Sequence, residues 1–347
     1  MTTGTSTRAD RRAQPVTGRR PGGSVVVLGS SGFLGGHLGA AFEAAGWRVL
    51  RISSSPAGPA GEVELNLTPR AEDRLGALLA EAGADVVVNA AGRVWQMTEA
   101  QMTEANADLV TWTVRALLAR RPGCRFIQLG SIHEYAPGGT GSGTPEDWPT
   151  EPVTPYGRSK LGGSEAVLRA ARTEGLDGVV LRLANVCGPG TRPGSLLGAV
   201  TAHLAEVARG ERSGAEAALR LPPLRAQRDF VDVRDVVDAV LAAAAAPAGR
   251  VAGQVVNIGS GRARPVRGIV DRMVALSGLA VDVVEAPPPA PTPGSPARVD
   301  VEWQQLDIDR AARLLGWRPR RGLDESLRDQ LVTAGAAPVT RVDSEGD

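Results

Sequence analysis

The 347-residue sequence is poor in cysteine, histidine, tyrosine and lysine. Its two cysteines, Cys124 and Cys187, are isolated, and its three histidines lack the spacing of metal ligands, so we expect neither a disulfide framework nor a metal site. The net charge of +1 gives no field that attracts nucleic acid or anionic lipid. These absences predict an intracellular, cytoplasmic, metal-free protein that binds neither nucleic acid nor membrane.

Long apolar segments are also absent from the sequence. No apolar run reaches the roughly 18 residues that a membrane span requires. Residues 1–22 lack the apolar stretch of a secretory signal, and we expect them, like residues 334–347, to be disordered extensions. The composition, 42% hydrophobic and 22% charged, is that of a globular protein with a sizeable core.

The scarcity of lysine is itself informative. Of the 39 lysines and arginines only Lys160 is a lysine, and it follows Tyr156, one of two tyrosines, by four residues. Because arginine carries the positive charge elsewhere, we interpret Lys160 as present for its compact, titratable ammonium. Thr154 as the N-cap and Pro155 in the first turn predict a helix with Tyr156 and Lys160 on one face. The alternative is a chance helical pair.

This pairing leads to a hypothesis about acidity. A neighbouring ammonium and the positive end of a helix both favour the phenolate, so we expect the pKa of Tyr156 to lie below its ordinary value of about 10. A phenol with such a pKa exchanges a proton near neutral pH, as a general acid or base does.

The first half of the chain alternates between two patterns. Short apolar runs typical of strands lie at residues 24–28, 48–52, 63–67, 85–89, 125–129 and 179–183. Helical patterns lie between them, at residues 33–45, 70–81 and 106–120. The alternation predicts an α/β fold with a Rossmann-type, doubly wound parallel sheet.

Beyond Asn185 the pattern loosens. Helices near 195–209 and 233–245, a strand near 254–258 and a proline-rich loop at 287–296 indicate a smaller C-terminal lobe. The expected division is a Rossmann domain at 23–185 with returning segments near 228–260, and a substrate-binding lobe at 186–227 and 261–330.

A glycine-rich turn joins the first strand to the first helix. Gly29, Gly32 and Gly35 allow backbone amides to approach a pyrophosphate at the helix N-terminus, which predicts a dinucleotide site. A purely structural turn is the alternative. At the end of the second strand, where an acid would bind the 2′-hydroxyl of NAD, the chain has Arg51 and Ser53, which favours NADP(H) and leaves NAD(H) possible. Arg51 could instead only cap the edge of a strand.

With the glycine turn, the segment from Asn89 to Gly92, Ser131 and the pair Tyr156 and Lys160 in this order, the chain resembles the extended short-chain dehydrogenase/reductases. Within them it is most similar to the nucleotide-sugar epimerases, dehydratases and reductases, over about residues 24–325. The resemblance implies catalytic roles for Ser131, Tyr156, Lys160 and Asn106, the last supporting a water or Lys160. It also implies a homodimer formed through the helices at 106–120 and 155–174.

The resemblance also places the ligands. It implies dinucleotide contacts at Gly29, Ser31, Gly32, Phe33, Leu34, Gly35, Arg51, Ser53, Asn66, Leu67, Ala90, Ala91, Gly92 and Lys160. On the substrate side it implies Asn185 and two diphosphate-binding arginines, Arg228 and Arg298. A surface ion pair with Asp229 is the alternative role for Arg228.

Two positions depart from the family's pattern. The 4,6-dehydratases of this group place Asp-Glu directly after the catalytic Ser or Thr, whereas this chain has Ile132 and His133, so dehydration is not expected. His133 is a candidate substrate contact, and a structural, hydrogen-bonded histidine is the alternative. The sequence offers no explanation for Glu134.

These residues together predict a function. The resemblance implies NADPH-dependent reduction of the C4 ketone of a dTDP-4-keto-6-deoxyhexose, a step of deoxysugar biosynthesis for secondary metabolites such as antibiotics. An NAD-dependent nucleotide-sugar 4-epimerase is the alternative, because both reactions use one site. A non-enzymatic dinucleotide sensor is a remote alternative, since such proteins commonly lose the tyrosine.

Overall fold

The computed structural model describes residues 22–54, 62–94, 97–139, 141–286 and 301–338. Its strands are β1 (Ser24–Leu28), β2 (Arg48–Ser53), β3 (Val63–Glu64), β4 (Val86–Asn89), β5 (Arg125–Ser131), β6 (Asp177–Leu183), β7 (Asn185–Cys187), β8 (Leu219–Leu221), β9 (Gln227–Asp232), β10 (Val255–Ile258), β11 (Ala263–Pro265) and β12 (Val283–Glu285). Its helices are α1 (Phe33–Ala44), α2 (Glu72–Glu81), α3 (Glu99–Thr103), α4 (Leu109–Arg120), α5 (Pro155–Thr173), α6 (Leu196–Ala208), α7 (Val233–Ala245), α8 (Ala248–Val251), α9 (Val266–Ser277), α10 (Asp309–Leu315) and α11 (Leu323–Thr333).

Seven parallel strands form the central sheet, in the order β10-β6-β5-β4-β1-β2-β3. The residues of β1 and β4 are all buried, as expected of parallel strands covered by helices on both faces. One hydrophobic cluster contains Leu38 of α1 and Val240 of α7, and another contains Leu79 of α2 and Leu117 of α4. The predicted doubly wound parallel sheet is confirmed.

The strand order determines where a ligand can bind. The chain runs from β1 outward to β2 and β3, and then crosses back to β4 on the other side of β1. In such sheets a crevice opens at the carboxyl ends of the strands where the order reverses. The glycine turn follows β1, Ala90 follows β4, and Ser131 is the last residue of β5. The predicted dinucleotide and catalytic residues therefore lie along one edge of the sheet.

Buried Arg125 fastens α7 to this sheet. Its guanidinium donates hydrogen bonds to the carbonyl oxygens of Ala243 and Ala246, at 2.7 and 2.5 Å, and forms an ion pair with Asp177 at 3.0 Å. The C-terminal carbonyls of a helix need partners when they are buried, and an arginine supplies several donors. The chain then returns through β10 to the edge of the sheet.

The smaller lobe contains two small sheets and its own core. Strands β11, β9 and β7 form one sheet, and β12 pairs with β8. Helices α6, α9 and α11 pack together around residues such as Leu204, Val270 and Leu327. The chain is ordered past residue 334, where we predicted a tail to start, because Ala336 is buried in this core. The predicted loop at 287–296 and Arg298 lie outside the described residues.

Two predicted elements differ in extent from those observed. The strand expected at 63–67 is only two residues long, because β3 is an outer strand paired with β2 alone and the chain turns at Pro69. The helix expected at 106–120 begins at Leu109, and a π-helical segment, Glu104–Asp108, joins it to α3. Asn106 therefore lies in a widened helical turn, a feature often found at functional sites.

None of the helices within the described residues is long and apolar enough to cross a membrane.

Candidate active site

The glycine turn packs too closely for side chains. Gly29 has a φ of 76°, and a Cβ there would lie 2.6 Å from the Cα of Ala91 in the loop after β4. A Cβ on Gly35 would lie 2.1 Å from the carbonyl oxygen of Gly29. The turn thus brings the first amides of α1, from Phe33 onward, to the carboxyl end of β1. Such amides are suited to bind a pyrophosphate.

Two residues that the sequence did not single out, Arg192 and His37, join this turn to the smaller lobe. Arg192 donates a hydrogen bond to the carbonyl oxygen of Ser31, and His37 of α1 is bonded to the carbonyl oxygen of Pro189 at 2.9 Å. The ring of His37 also packs edge-on against Phe33. Hydrogen bonds therefore join the predicted dinucleotide residues to the loop after β7.

At the end of β2 the predicted residues have partners of their own. Arg51 donates a hydrogen bond to Glu43 of α1, which raises the pKa of the guanidinium and keeps it charged. Ser53 is buried, and Asn66 and Leu67 follow β3 with exposed and intermediate surface respectively. The structure thus brings the predicted residues of this region to one side of the glycine turn.

An acid that sequence reasoning missed lies beside them. Glu62 accepts a hydrogen bond from the hydroxyl of Ser30, and its second carboxylate oxygen is buried without a hydrogen-bond partner among the described residues. The end of β2 itself carries no acid, but Glu62, the residue before β3, lies beside it. No local pattern indicated this acid, because only the pairing of Ile52 with Val63 in parallel strands brings Glu62 beside Arg51.

Asn106 holds the loop after β4. Its Oδ1 accepts a hydrogen bond from the amide of Arg93, and its Nδ2 donates to the carbonyl oxygen of Arg93 and to the hydroxyl of Ser159, at 3.0, 2.8 and 2.9 Å. A Cβ on Gly92 would lie 2.7 Å from Asn106 Oδ1. The expected support of Lys160 is therefore indirect, through Ser159, the residue before it in α5.

Ser131, Tyr156 and Lys160 come together as the sequence predicts. Thr154 caps α5 by accepting a hydrogen bond from the amide of Gly157 at 3.0 Å, and Pro155 is in the first turn. The Ser131 hydroxyl lies close enough to the Tyr156 phenol to lower the pKa of that group. The buried Lys160 ammonium donates a hydrogen bond of 2.5 Å to a carbonyl oxygen of β5. A hydroxyl pair and a cation thus lie at the end of the central strand β5.

The predicted acidity of Tyr156 is wrong. Burial raises the pKa of the phenol to about 12, the hydrogen bond with Ser131 lowers it in part, and the negative charge of Glu134 raises it further. Burial also lowers the pKa of Lys160, against the opposing effect of the same carboxylate. The sequence pattern indicated the neighbouring cation but not the loss of solvent, which here has the larger effect on the phenol.

The structure explains Glu134. This residue is fully buried, and its carboxylate accepts hydrogen bonds from the amide of Ser131 at 2.8 Å and from Nε of Arg182 at 2.7 Å. Arg182 in turn lies over the ring of Tyr135, 4.4 Å from its centroid. The turn after β5 is thus capped by a charged side chain whose counter-ion comes from β6, and this pair fixes the backbone of Ser131.

On the substrate side, His133 and Asn185 share a neighbour that we did not predict. Gln304 lies 3.3 Å from Nδ1 of His133 and 3.5 Å from Nδ2 of Asn185. The imidazole packs edge-on against the ring of Tyr156, with 5.9 Å between centroids. His133 therefore adjoins the phenol of Tyr156. The segment that carries Gln304 follows the proline-rich region and has no motif that would have indicated it.

The acid next to Arg228, Asp229, has a structural role. Asp229 accepts hydrogen bonds from the amides of Ser260, Gly261 and Leu306, and so fastens three loop residues to β9. The Asp229 carboxylate is therefore bound by these amides and not by Arg228, as the alternative of an ion pair between the two residues would require. Arg228 itself lies on β9 opposite Arg264 of β11, and its role in binding a diphosphate stays a prediction.

The model of the NAD dependent epimerase/dehydratase family matches residues 25–259. The chain belongs to this family. It is 42% identical over 318 residues to a dTDP-6-deoxy-L-talose 4-dehydrogenase (NAD(P)(+)) of Kitasatospora kifunensis, covering 91% of this chain and 96% of that protein. The resemblance to nucleotide-sugar enzymes of the extended short-chain dehydrogenase/reductases is confirmed, and with it the expectation of an enzyme.

Two other family members extend the comparison. The chain is 28% identical over 324 residues to a UDP-glucose 4-epimerase of Mycolicibacterium smegmatis, covering 87% of this chain and 95% of that one. The structure of RMD from Pseudomonas aeruginosa, complexed with NADPH, superposes with a TM-score of 0.76 at 25% identity, covering 90% and 99% of the two chains. The family thus includes both a 4-epimerase and a protein that binds NADPH.

Proposed function

We propose that this protein reduces the C4 ketone of a dTDP-4-keto-6-deoxyhexose with NADPH. The observation that carries the proposal is the juxtaposition of Ser131 with the Tyr156 phenol, which burial keeps protonated, at the sheet edge that also carries the glycine turn. The 42% identity to a dTDP-6-deoxy-L-talose 4-dehydrogenase supports the nucleotide sugar and the position of the reacting carbon. That dehydrogenation, run in reverse, is the reduction of a C4 ketone.

The residues present fit a nicotinamide dinucleotide. Because Gly29 and Gly35 carry no side chain, the turn packs closely on itself and leaves the first amides of α1 available to a pyrophosphate. When bound, the dinucleotide supplies the hydride. Lys160 is placed to hold the ribose, and Arg51 supplies a positive charge for a 2′-phosphate. Glu62 opposes this charge, which keeps NAD in consideration beside NADP.

The chain's own residues handle the proton. Ser131 orients the carbonyl oxygen by a hydrogen bond, and Tyr156 donates its proton to that oxygen as it becomes a hydroxyl. A phenol with a pKa near 12 is protonated at neutral pH, which is the form that reduction needs. Buried Lys160 places positive charge behind the phenol and stabilises the phenolate that forms.

Replacing Gly35 by alanine should weaken NADPH binding. The added methyl group would meet the Gly29 carbonyl oxygen at 2.1 Å, so the turn must move away from the pyrophosphate. We expect the dissociation constant of NADPH to rise at least about tenfold, which corresponds to the loss of one or more hydrogen bonds to a charged group. Titration calorimetry with NADPH measures it. Gly36→Ala is the matched control, since its nearest contact is 3.8 Å, and equal affinities of both variants would contradict the assignment.

The two directions of the reaction should depend differently on pH. Reduction uses the phenol of Tyr156, which with a pKa of about 12 stays protonated from pH 7 to 10, so its rate should change little in this range. Oxidation uses the phenolate, whose fraction rises about tenfold per pH unit below the pKa, so its rate should rise. Initial rates of both directions with the same sugar pair measure this. A reduction rate that falls through one ionisation between pH 7 and 10 would contradict the raised pKa.

The proposed function is tested by supplying the purified protein with dTDP-4-keto-6-deoxyhexoses and NADPH. We expect oxidation of NADPH with formation of a 4-hydroxy sugar, whose C4 configuration NMR identifies. The second candidate is a 4-epimerase, favoured by the identity to the UDP-glucose 4-epimerase and by Glu62 beside the site for the adenosine ribose. Interconversion of UDP-glucose and UDP-galactose with NAD, without consumption of NADPH by any keto sugar, would select it.

A further inference from the structure

Gln304 is held rigidly beside the catalytic residues. It is buried, and its backbone amide donates a hydrogen bond to the carbonyl oxygen of Gln227 in β9 at 3.0 Å. The same strand residue donates from its amide to the carbonyl oxygen of Glu302 at 2.8 Å. Two residues later, the amide of Leu306 bonds to the Asp229 carboxylate at 3.2 Å. The segment 302–306 is therefore fastened to β9, and the position of the Gln304 side chain is set by backbone contacts.

The polarity of the hydrogen bonds around Gln304 follows from one backbone carbonyl. Asn185 Nδ2 donates to the carbonyl oxygen of Asp229 at 3.0 Å, and a carbonyl oxygen can only accept. This orients the Asn185 amide, so the oxygen 3.5 Å from its Nδ2 is Oε1 of Gln304. The other end of the Gln304 amide, Nε2, then faces His133 Nδ1 at 3.3 Å. An amide nitrogen only donates, so His133 Nδ1 accepts and carries no proton.

The imidazole is fixed on a second side as well. The amide of His133 donates to the hydroxyl oxygen of Ser131 at 3.2 Å, and its ring packs against Tyr156. A neutral imidazole that accepts at Nδ1 carries its proton on Nε2. The titratable groups on the elements packed here are Tyr156, Tyr135 and Glu134, whose carboxylate is paired with Arg182. Among the described residues that line the adjoining cavity, only His133 and Tyr135 are titratable.

We propose that Gln304 is a positioning residue, which holds His133 as the neutral tautomer protonated on Nε2. His133 then serves as a hydrogen-bond donor to an oxygen of the hexose and leaves proton transfer to Tyr156. This role rests on the proposed function, whereas the tautomer does not. The adjoining cavity is lined by residues such as Thr144, Thr154 and Trp303.

Histidine NMR of the full-length protein tests the tautomer directly. In protein labelled with ¹⁵N-histidine, we expect His133 to show an unprotonated Nδ1 and a protonated Nε2 through pH 6–8. Gln304→Glu should protonate both nitrogens at neutral pH, because a carboxylate accepts from Nδ1 and stabilises the imidazolium. The chain has only two other histidines, His37 and His203, whose Nε2 atoms face backbone carbonyl oxygens, and their signals should not move.

Gln305 offers the matched control. Its side chain bonds to the Gly261 carbonyl oxygen at 3.0 Å, so Gln305→Glu adds the same charge to the next residue. We expect Gln305→Glu to leave the His133 signals unchanged. A wild-type His133 protonated on Nδ1, or one that titrates near the ordinary pKa of about 6.5, would overturn the tautomer assignment. An equal response to both variants would show that charge alone, not the Gln304 contact, controls the ring.

Ligand addition tests the role in recognition. A dTDP-hexose should shift the Nε2 proton signal of His133, whereas dTDP alone, which lacks the hexose, should not. For His133→Phe, which removes the Nε2 donor and keeps an aromatic ring against Tyr156, we expect KM for the keto sugar to rise roughly five- to tenfold, the factor for one hydrogen bond, with a smaller change in kcat. An unshifted signal with bound dTDP-hexose, or an unchanged KM, would overturn the donor role. If wild-type protein binds no dTDP-sugar while His133 shows the expected tautomer, the proposed function fails and the tautomer assignment stands.

Discussion

Replacing Tyr156 by phenylalanine should lower kcat for ketone reduction by about 10²–10⁴-fold, the contribution of a positioned general acid. The phenyl ring keeps the edge-on contact with His133, so the loss reports the hydroxyl and not the packing. We expect KM and the affinity for NADPH to change little, because the hydroxyl acts on the reacting oxygen during proton transfer. Steady-state kinetics and a binding titration measure these quantities.

Tyr135 provides the control for this experiment. It is the second of the two tyrosines, lies four residues after Ser131, and donates its hydroxyl hydrogen bond to Asn257 at 2.8 Å. Burial raises the pKa of Tyr135 to about 12 as well, so an elevated pKa alone does not make a catalytic group. Tyr135→Phe should lose stability and keep most of its turnover. If Tyr156→Phe turns over at the rate of Tyr135→Phe, Tyr156 is not the proton donor.

Replacing Arg182 by leucine should lower the free energy of unfolding by about 3–5 kcal/mol, because it leaves the Glu134 carboxylate buried without its counter-ion. Both side chains of this pair are nearly inaccessible, with 4% and 0% of their surfaces exposed. Urea denaturation followed by circular dichroism measures the change. Activity should fall too, because an unpaired carboxylate relaxes away from the amide of Ser131.

Two further variants separate burial from charge. Arg209 and Glu211 form an ion pair at 2.7 Å with about half of each side chain exposed, so Arg209→Leu should leave the free energy of unfolding almost unchanged. The double variant Glu134→Leu with Arg182→Leu should recover much of the lost stability, because removing both charges avoids the unpaired one. It should not recover activity, since the cap on Ser131 is gone. A double variant as unstable as Arg182→Leu would show that packing, not charge, governs the pair.

The catalytic residues were predictable because their signals are local. Tyr156 and Lys160 lie one helical turn apart, and Thr154 with Pro155 marks the start of that helix, so neighbouring residues alone place both side chains on one face. Ser131 was assigned through the resemblance to the extended short-chain dehydrogenase/reductases, and its catalytic role stays a prediction. The electrostatics of the same residues were not predictable, because the pKa of a phenol depends on how much water reaches it, and that depends on distant parts of the chain.

Three residues that shape the site carry no local signal. Glu62 reaches Ser30 across 32 residues, Glu134 finds Arg182 across 48, and Gln304 meets His133 across 171. Each contact joins a side chain to an element that the chain reaches only after a crossover of the sheet or a return from the smaller lobe. A polar residue in such a position looks like any surface residue in the sequence. Its partner can be identified only from the pairing of the strands in the folded protein.

The sequence by itself determined the alternation of strands and helices, the glycine turn and the placement of Tyr156 and Lys160 on one face of a helix, because each depends on residues close to one another in the chain. The tertiary structure alone decided the raised pKa of Tyr156, the buried pair behind Ser131 and the contact of Gln304 with His133. These depend on burial and on long-range pairing, and the free energy of a charge or a hydrogen bond changes with both.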